Sequence, residues 1–356
     1  MIEVRAATDA DRPALLEFMQ QAAGADKART LDRRWHWQWR ADPRLDEPGY
    51  KGVVATWRGR ILANVACIPA GLHIAGHPVE AVWLVDVRVH RGPARDALRA
   101  CLREGLHKRD RFPNGLAAAL FSHPAAGKIQ LGKHIGEDMM SIGRRIGFQD
   151  VPGAANWMRR VSLRWPLQKA IGRRPGAALA ALADLGARPF PRPRLPVQRL
   201  DGPFDGRFDA LWRRAQTAYP AITRRDSAVL NWHYRDHPDT HYEVLTVGDD
   251  QSLRGYLVYK IWLRKGRHIG RIVDLLTAPE DSATVQALAA AALRHLRRTG
   301  VERVDWFVSN RGLQSQVERI GFKPRVTKRG KPQPMMLRGL PTLASPHITS
   351  GDGDGG

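Results

Sequence analysis

Cysteine is nearly absent: Cys67 and Cys101 are the two in 356 residues. Two thiols cannot supply a disulfide framework or a cysteine-rich metal site, so apolar burial must hold the fold, and a reducing compartment suits it. One falls on a predicted strand and the other on the apolar face of a predicted helix, which marks both as buried structural thiols. Long apolar runs are missing as well. No uncharged apolar run, residues 176–183 included, approaches the roughly 20 residues that span a bilayer. The opening MIEVRAATDADR lacks the basic-then-apolar order of a secretory leader, and the expected location is the cytoplasm. Thirteen histidines are present, yet none has ligand spacing beside a second cysteine or a carboxylate cluster. His233, His237 and His241 lie four apart, but Pro238 interrupts any shared helical face, so no metal is expected. No Ser-His-Asp signature or phosphate-binding P-loop occurs.

Acidic residues are also scarce, 35 against 57 Lys and Arg, which leaves a formal charge of +22. Such a field favours polyanions, anionic membrane surfaces or phosphorylated small molecules, and says nothing about fold. An arginine-rich genome composition would produce the same balance. The hydrophobic fraction of 43% and the length fit a globular chain of two ordinary domains.

Along the chain, residues 2–5 read as a short strand, and Thr8 caps a helix with Asp9 and Asp11 at the positive end of its dipole. A second helix is expected near residues 31–41, carrying Trp35, Trp37 and Trp39. Strands at 53–57 and 61–68 meet at Arg58-Gly59 as a hairpin, and residues 73–77 close another turn. Residues 82–106 hold the centre of the first half. Val82, Leu84, Val85, Val87 and Val89 make a β-branched strand. From Ala94 the period changes, and Ala97, Leu98, Cys101, Leu102 and Leu106 continue an apolar helical stripe whose first turn carries Pro93. A strand entering a helix through such a turn points free amides and a helix dipole at one spot, where an anion can sit. An ordinary strand-to-helix connection explains the stretch equally well. Residues 116–121 are expected as a further strand, and a helical region then ends in Arg145-Ile-Gly-Phe148.

The second half runs in the same order. Trp37-Gln-Trp39-Arg40-Ala-Asp-Pro43 matches Trp232-His-Tyr234-Arg235-Asp-His-Pro238, and Leu84-Val85-Asp86 matches Ile272-Val273-Asp274. An amphipathic helix follows each, then a strand (304–308 in the second half), then Arg-Ile-Gly-Phe, at 145–148 and 319–322. Four elements in one order predict a tandem duplication of one α/β domain. The division expected is 1–156, a basic Pro-rich linker at 157–200, 201–340, and a disordered tail at 341–356, where Gly and Asp dominate the end. The linker has ten Arg or Lys against one acid, Asp184. Residues 161–185 are expected to hold one or two helices, and the segment can serve as a solvated connector or rest peripherally on the inner membrane face.

This order of strand, helices, antiparallel strands, then strand, turn, helix, strand, helix and Gly-Phe resembles the GNAT superfamily of acyl-CoA-dependent N-acyltransferases. The resemblance is carried by IEVRAATDADRPALL, by Asp86-Val-Arg-Val89 running into Arg91-Gly92, and by the two Gly-Phe pairs. It implies a mixed α/β fold of two tandem GNAT-like domains. The Trp-rich signature is similar to bacterial GNAT-like proteins of surface-polysaccharide synthesis.

By that resemblance the backbone of Val87 and Val89 would meet the pantetheine of acetyl-CoA or another acyl-CoA, and Arg91, Gly92, Ala94 and Arg95 its phosphates. Asp86 would orient or deprotonate an amine acceptor through water, or else satisfy nearby backbone. Trp35, Trp37, Trp39 and Asp274 are the candidates for an acceptor cleft, the tryptophans having packing as their alternative role. The turn His90-Arg-Gly-Pro-Ala-Arg95 is shorter than the family's and has one Gly, while the corresponding Thr277-Ala-Pro-Glu-Asp-Ser282 has neither Gly nor Arg and would repel a pyrophosphate. The family's tyrosine acid is replaced by Val317 in the second half, and Gly143 stands at the same interval in the first. The function implied is acyl transfer to an amine such as an amino sugar or another glycan or small-molecule amine. The alternatives are a FemAB-like aminoacyltransferase engaging tRNA through its basic charge, and a non-catalytic GNAT-like module on an anionic polymer or nucleic acid.

Overall fold

The computed structural model describes residues 2–103, 114–133, 137–172, 174–176, 178–179, 182, 194–264, 266–325 and 335–353. In chain order the strands begin with β1 (Glu3–Ala6), β2 (Gly52–Trp57), β3 (Arg60–Pro69), β4 (Leu72–Ile74), β5 (His77–Val79) and β6 (Val82–Val89). Then come β7 (Gln130–Gly132), β8 (Gln149–Asp150), β9 (Ala155–Arg160), β10 (Gln198–Arg199) and β11 (Ala221–Thr223). The last are β12 (Glu243–Gly248), β13 (Leu253–Arg264), β14 (Arg267–Thr277), β15 (Arg303–Val308), β16 (Lys323–Pro324) and β17 (Met336–Arg338).

They form two seven-stranded mixed sheets, ordered β1-β2-β3-β6-β7-β17-β8 and β10-β12-β13-β14-β15-β9-β16. The two orders correspond strand for strand. In both, the fourth and fifth strands run parallel and their other neighbours antiparallel, as a crossover helix between them requires. The sixth strand, however, is exchanged. β9, from the end of the first half, completes the second sheet, and β17, from near residue 336, completes the first. The sheets therefore do not divide at residues 156 and 200, because residue 156 lies inside a strand of the second sheet.

Local chemistry explains most elements. Arg58 and Gly59 both have positive φ (50° and 75°), the two-residue turn whose twist matches a tight hairpin. A capping box at Thr8 starts a short 3-10 turn that leads into helix Arg12–Ala23. The tryptophan helix is longer than expected, Ala25–Trp39. The Gly-Phe pairs both terminate helices: Gly147 and Gly321 have φ of 95° and 91°, and the amides of Phe148 and Phe322 bond back to the carbonyls of Gly143 and Val317.

Two expectations are corrected. Residues 116–121 are not a strand but part of helix Asn114–Ser122, because the alanines of Leu-Ala-Ala-Ala-Leu are strong helix formers. The fifth strand of the first sheet is instead the short β7. The tail is ordered through residue 353, and Pro346, His347, Ile348, Thr349 and Ser350 are buried. Its polar groups are satisfied by partners far away in sequence, which is what permits their burial. The His347 amide donates to Ala221 O (2.7 Å), the Gly351 amide to Val273 O (2.7 Å), and Ile348 N to the Ser309 hydroxyl (2.9 Å).

The halves meet through a reciprocal tryptophan pair. Trp37 and Trp232 stack with centroids 4.6 Å apart, and each indole N–H donates to the other's backbone carbonyl at 2.8 Å. β11 of the second half pairs with β4 of the first, and Asp239 accepts from both Arg33 (2.7 Å) and Arg34 (2.8 Å). No helix among the described residues is long and apolar enough to cross a membrane.

Candidate active site

In the first sheet, β6 and β7 pair only at Val82 with Gln130 and Trp83 with Leu131. Beyond these pairs the two parallel strands diverge, and a cavity of about 190 Å³ opens between them. Leu84, Val87 and Arg88 line it from β6, Gly132 and Lys133 from the end of β7, Phe121 and Met139 from the covering helices, and Phe148 from the turn after the second of these. Met336 of the exchanged β17 completes the wall. A smaller apolar recess adjoins it, sharing Val87, Phe121 and Met139 and reaching Val89, Leu116 and Ile142. The body of the cavity is apolar, and its cations are Arg88 and Lys133. The Lys133 ammonium donates to the tail carbonyls of Thr349 (3.3 Å) and Ser350 and lies 5.3 Å from the Trp83 ring centre.

Beside the cavity β6 is bulged. Asn64 faces Arg88 and Ala66 faces Val85, so β6 carries an extra residue between these pairs, and Asp86 there has φ +46°. Such bulges re-aim a side chain and interrupt the ladder. The bulge is held from the next strand: Asn64 Nδ2 donates to Asp86 O (3.2 Å), and the Tyr50 hydroxyl donates to Asn64 Oδ1 (2.8 Å). Burial first, then the Asp86 charge, pushes the Tyr50 phenol well above its ordinary pKa, so it remains a donor. Burial likewise pushes the Cys67 thiol up to about 12, which leaves it protonated and inert. The side chain of Cys101 lies outside the described residues, as does Leu106.

The sequence candidates fall into three groups. Asp86, Val87 and Val89 come together at the bulge and cavity, as β6 requires. Arg91, Gly92 and Arg95 are exposed on the first turn of helix Arg91–Arg103, directly after β6. Ala94 is corrected: its amide already donates to His90 O (3.0 Å), and the residue is fully buried, so it offers a phosphate nothing.

The third group is not at a cleft. Trp35, Trp37 and Trp39 are 4%, 5% and 0% exposed, packed against Tyr50, Trp232 and one another. Asp274 is buried in a network in which it accepts from Arg225 Nε (3.1 Å), the Tyr256 hydroxyl (2.8 Å), Leu275 N (2.9 Å) and the Thr349 hydroxyl (3.1 Å). Arg225 also reaches Asp352 of the tail at 2.8 Å. Tyr50 covers Trp35 and Trp39, Trp232 of the other half covers Trp37, and the tail covers Asp274, none of which their local sequence announces.

The equivalent place in the second sheet is occupied by the chain itself. β14 and β15 pair from Ile269 with Arg303 to Ile272 with Trp306. Past them the tail lies between the strands, bonded to Val273 O and Leu275 O on one side and Ser309 on the other. Gly351 passes so close to the Tyr234 hydroxyl and Val273 O that a Cβ there would collide. At the following turn Asp281 caps helix Ser282–Arg298, accepting from Thr284 N (3.1 Å), and is paired with Arg254. Two like places thus differ: the first is open and apolar, the second is filled.

Cavity residues that sequence reasoning missed are Arg88, Phe121, Lys133, Met139 and Met336. Phe148 stood in the Arg-Ile-Gly-Phe motif, whereas Met336 carries no local signal, since β17 arrives from the far end of the chain.

No family model matches the chain, and no curated protein matches its sequence. Solved structures do. A GCN5-related N-acetyltransferase from Anabaena variabilis is 15% identical with a TM-score of 0.58, over 95% of this chain and 72% of that one. The N-myristoyltransferase of Saccharomyces cerevisiae, solved with myristoyl-CoA bound, is 10% identical with a TM-score of 0.58, over 99% and 83%. A GCN5-related N-acetyltransferase from Kribbella flavida is 14% identical with a TM-score of 0.51, over 95% and 72%. Together with the divergent parallel strands and the bulge beside them, these likenesses give the chain the fold of the GCN5-related N-acetyltransferases.

Proposed function

We propose that the protein is an N-acyltransferase that takes acyl-CoA in the open cleft of the first sheet and delivers the acyl group to an amine. The observation that carries this reading is the contrast between the two strand divergences, one an apolar cavity and the other filled by the tail. A pantetheine arm bears amides along an extended chain, which suits the free edge of a diverging strand such as β6. Leu84, Val87, Phe121, Met139 and Phe148 then cover its apolar portions and the acyl group. At the outer end Arg88, Arg91 and Arg95, with the amides of Arg91 and Gly92, offer positive charge to phosphates.

The reaction requires a neutral amine at the thioester. Asp86, turned out of the ladder by the bulge, takes the amine's proton through water. The tyrosine acid of the resembling family has no counterpart here. Gly143 stands at its interval, and a Cβ at Gly143 would already lie 3.1 Å from the Met336 methyl, so β17 fills the space a larger side chain would use. Water therefore protonates the departing thiolate. An amino sugar or another glycan amine is the acceptor class that this reading carries forward.

Calorimetry on the full chain tests it. Acetyl-CoA or a longer acyl-CoA should bind, release thiol in the presence of a panel of amines, and lose binding at least about tenfold, ~1.4 kcal/mol, in Val87→Trp, whose ring occupies the cavity. Binding undiminished in Val87→Trp, or no binding by the parent chain, would overturn the assignment.

A further inference from the structure

Among the described residues the exposed large apolar side chains are Leu163, Ile171, Leu179, Leu182, Ile261 and Leu263, at 41–66% exposure. They belong to residues 163–182 and to β13, far apart in sequence, and hydrogen bonds bring the start of the first stretch beside the end of β13 at one end of the second sheet. Leu263 pairs with His268 across the β13–β14 hairpin, Glu302 N donates to His268 O (3.2 Å), and the amides of Val161 and Ser162 donate to Glu302 O (2.9 and 3.1 Å). Leu163 follows directly. Helix Arg164–Ile171 then stops at Gly172, and Gly176 packs back against Leu167 and Gln168, which keeps residues 174–176 beside the helix.

The same end is basic. Arg160, Lys169 and Arg174 are exposed on these segments. Helix Ser282–Arg298 also finishes here, since Val301 N closes onto Leu296 O (3.1 Å) just before Glu302, and Arg294 and Arg298 line a shallow groove at its end. The acid Glu302 is taken up by Arg267 at 2.7 Å.

We infer that this end of the second sheet docks on an anionic lipid bilayer, with the exposed leucines and isoleucines entering the interface and the surrounding cations meeting the headgroups. A patch of aliphatic side chains ringed by positive charge matches an acyl layer beneath anionic phosphates. Nucleic acid fits it less well, because strand-binding surfaces present aromatic platforms for bases, whereas the exposed residues here are aliphatic. The inference stands independently of the acyltransferase reading.

Sedimentation of the full chain with vesicles is the test. The protein should pellet with phosphatidylglycerol–phosphatidylcholine vesicles, stay in solution with phosphatidylcholine alone, and be released by salt. Ile261→Ser with Leu263→Ser should weaken partitioning by about tenfold or more at unchanged circular dichroism. Should that pair fail to fold, Leu163→Ser with Ile171→Ser on the other segment makes the same measurement. No binding to the anionic vesicles, equal binding to both vesicle types, undiminished binding by a folded variant, or binding only to an RNA oligonucleotide would each overturn the inference.

Discussion

Asp86 holds φ +46°, a conformation that crowds an L side chain against its own backbone at a cost of roughly 1–2 kcal/mol, least for Asp and Asn. Two substitutions therefore separate its backbone role from its chemical one. Asp86→Asn keeps the bulge and should leave thermal stability and acyl-CoA binding unchanged while lowering kcat by about tenfold or more, read from thiol release. Asp86→Val should instead lose about 1–2 kcal/mol of stability in a denaturant titration. An unchanged kcat in Asp86→Asn would return the residue to a backbone role. Asp86 is legible in the sequence through the family resemblance, which puts it on the central strand beside the cofactor-binding backbone. The sequence could not show the bulge, which depends on Asn64 from the neighbouring β3 and Tyr50 from the loop before β2. Trp35, Trp37 and Trp39 failed as cleft candidates for the related reason that an aromatic beside arginine reads alike whether it meets ligand or core. Trp232, which settles the matter for Trp37, lies in the other half.

At the scale of elements, the strand and helix around residues 82–103 and the Arg58-Gly59 hairpin were readable because local periodicity and turn chemistry fix them. β7 was not, since Gln-Leu-Gly is too short to show a period. The tail was misread because Ser, Thr, Gly and Asp look solvated until distant partners bury them, chiefly Arg225. That guanidinium is 2% exposed and is held between Asp274 and Asp352, whose charges, opposing the cost of burial, keep its pKa well above the ordinary value. Arg225→Ala leaves two buried carboxylates without their cation and should cost about 3–5 kcal/mol, measured by urea unfolding. Acid should loosen the same element. Burial, then the Arg225 charge, lowers the His347 pKa to about 4, against about 6.5 in an unfolded chain. Above the unfolded value both states are neutral and the stability is complete. As pH falls from about 6.5 towards 4 only the unfolded chain takes up the proton, so stability drops by up to about 1.4 kcal/mol per pH unit and then levels off. His233 and His237, also lowered by burial, act in the same direction. His347→Gln should therefore flatten, without abolishing, the pH dependence of the urea midpoint.

For the whole molecule, the two sheets correspond in strand order, and the internal matches in the sequence run in the same order as the elements that build them. The exchange of sixth strands had no sequence signal, because β9 and β17 are short and nothing in them specifies which sheet they enter. Neither half is then a separable unit. A chain ending at residue 156 lacks the β17 that pairs with both β7 and β8, and it leaves most of β9 behind. Such a fragment should show no cooperative thermal transition and no acyl-CoA binding, whereas co-expression with residues 157–356 should restore neither fully, since the cut falls inside β9.

The exchange also bears on how the protein is made. Met336 is a wall of the first-half cavity, yet the ribosome reaches it about 250 residues after the β6 strand that forms the opposite wall. During synthesis the first sheet must wait with an unfinished edge while the second half is completed. A nascent chain is thus exposed to wrong strand partners, most obviously a neighbouring copy's β17, for as long as translation of that half lasts. Folding of the candidate site is tied to the synthesis of β17.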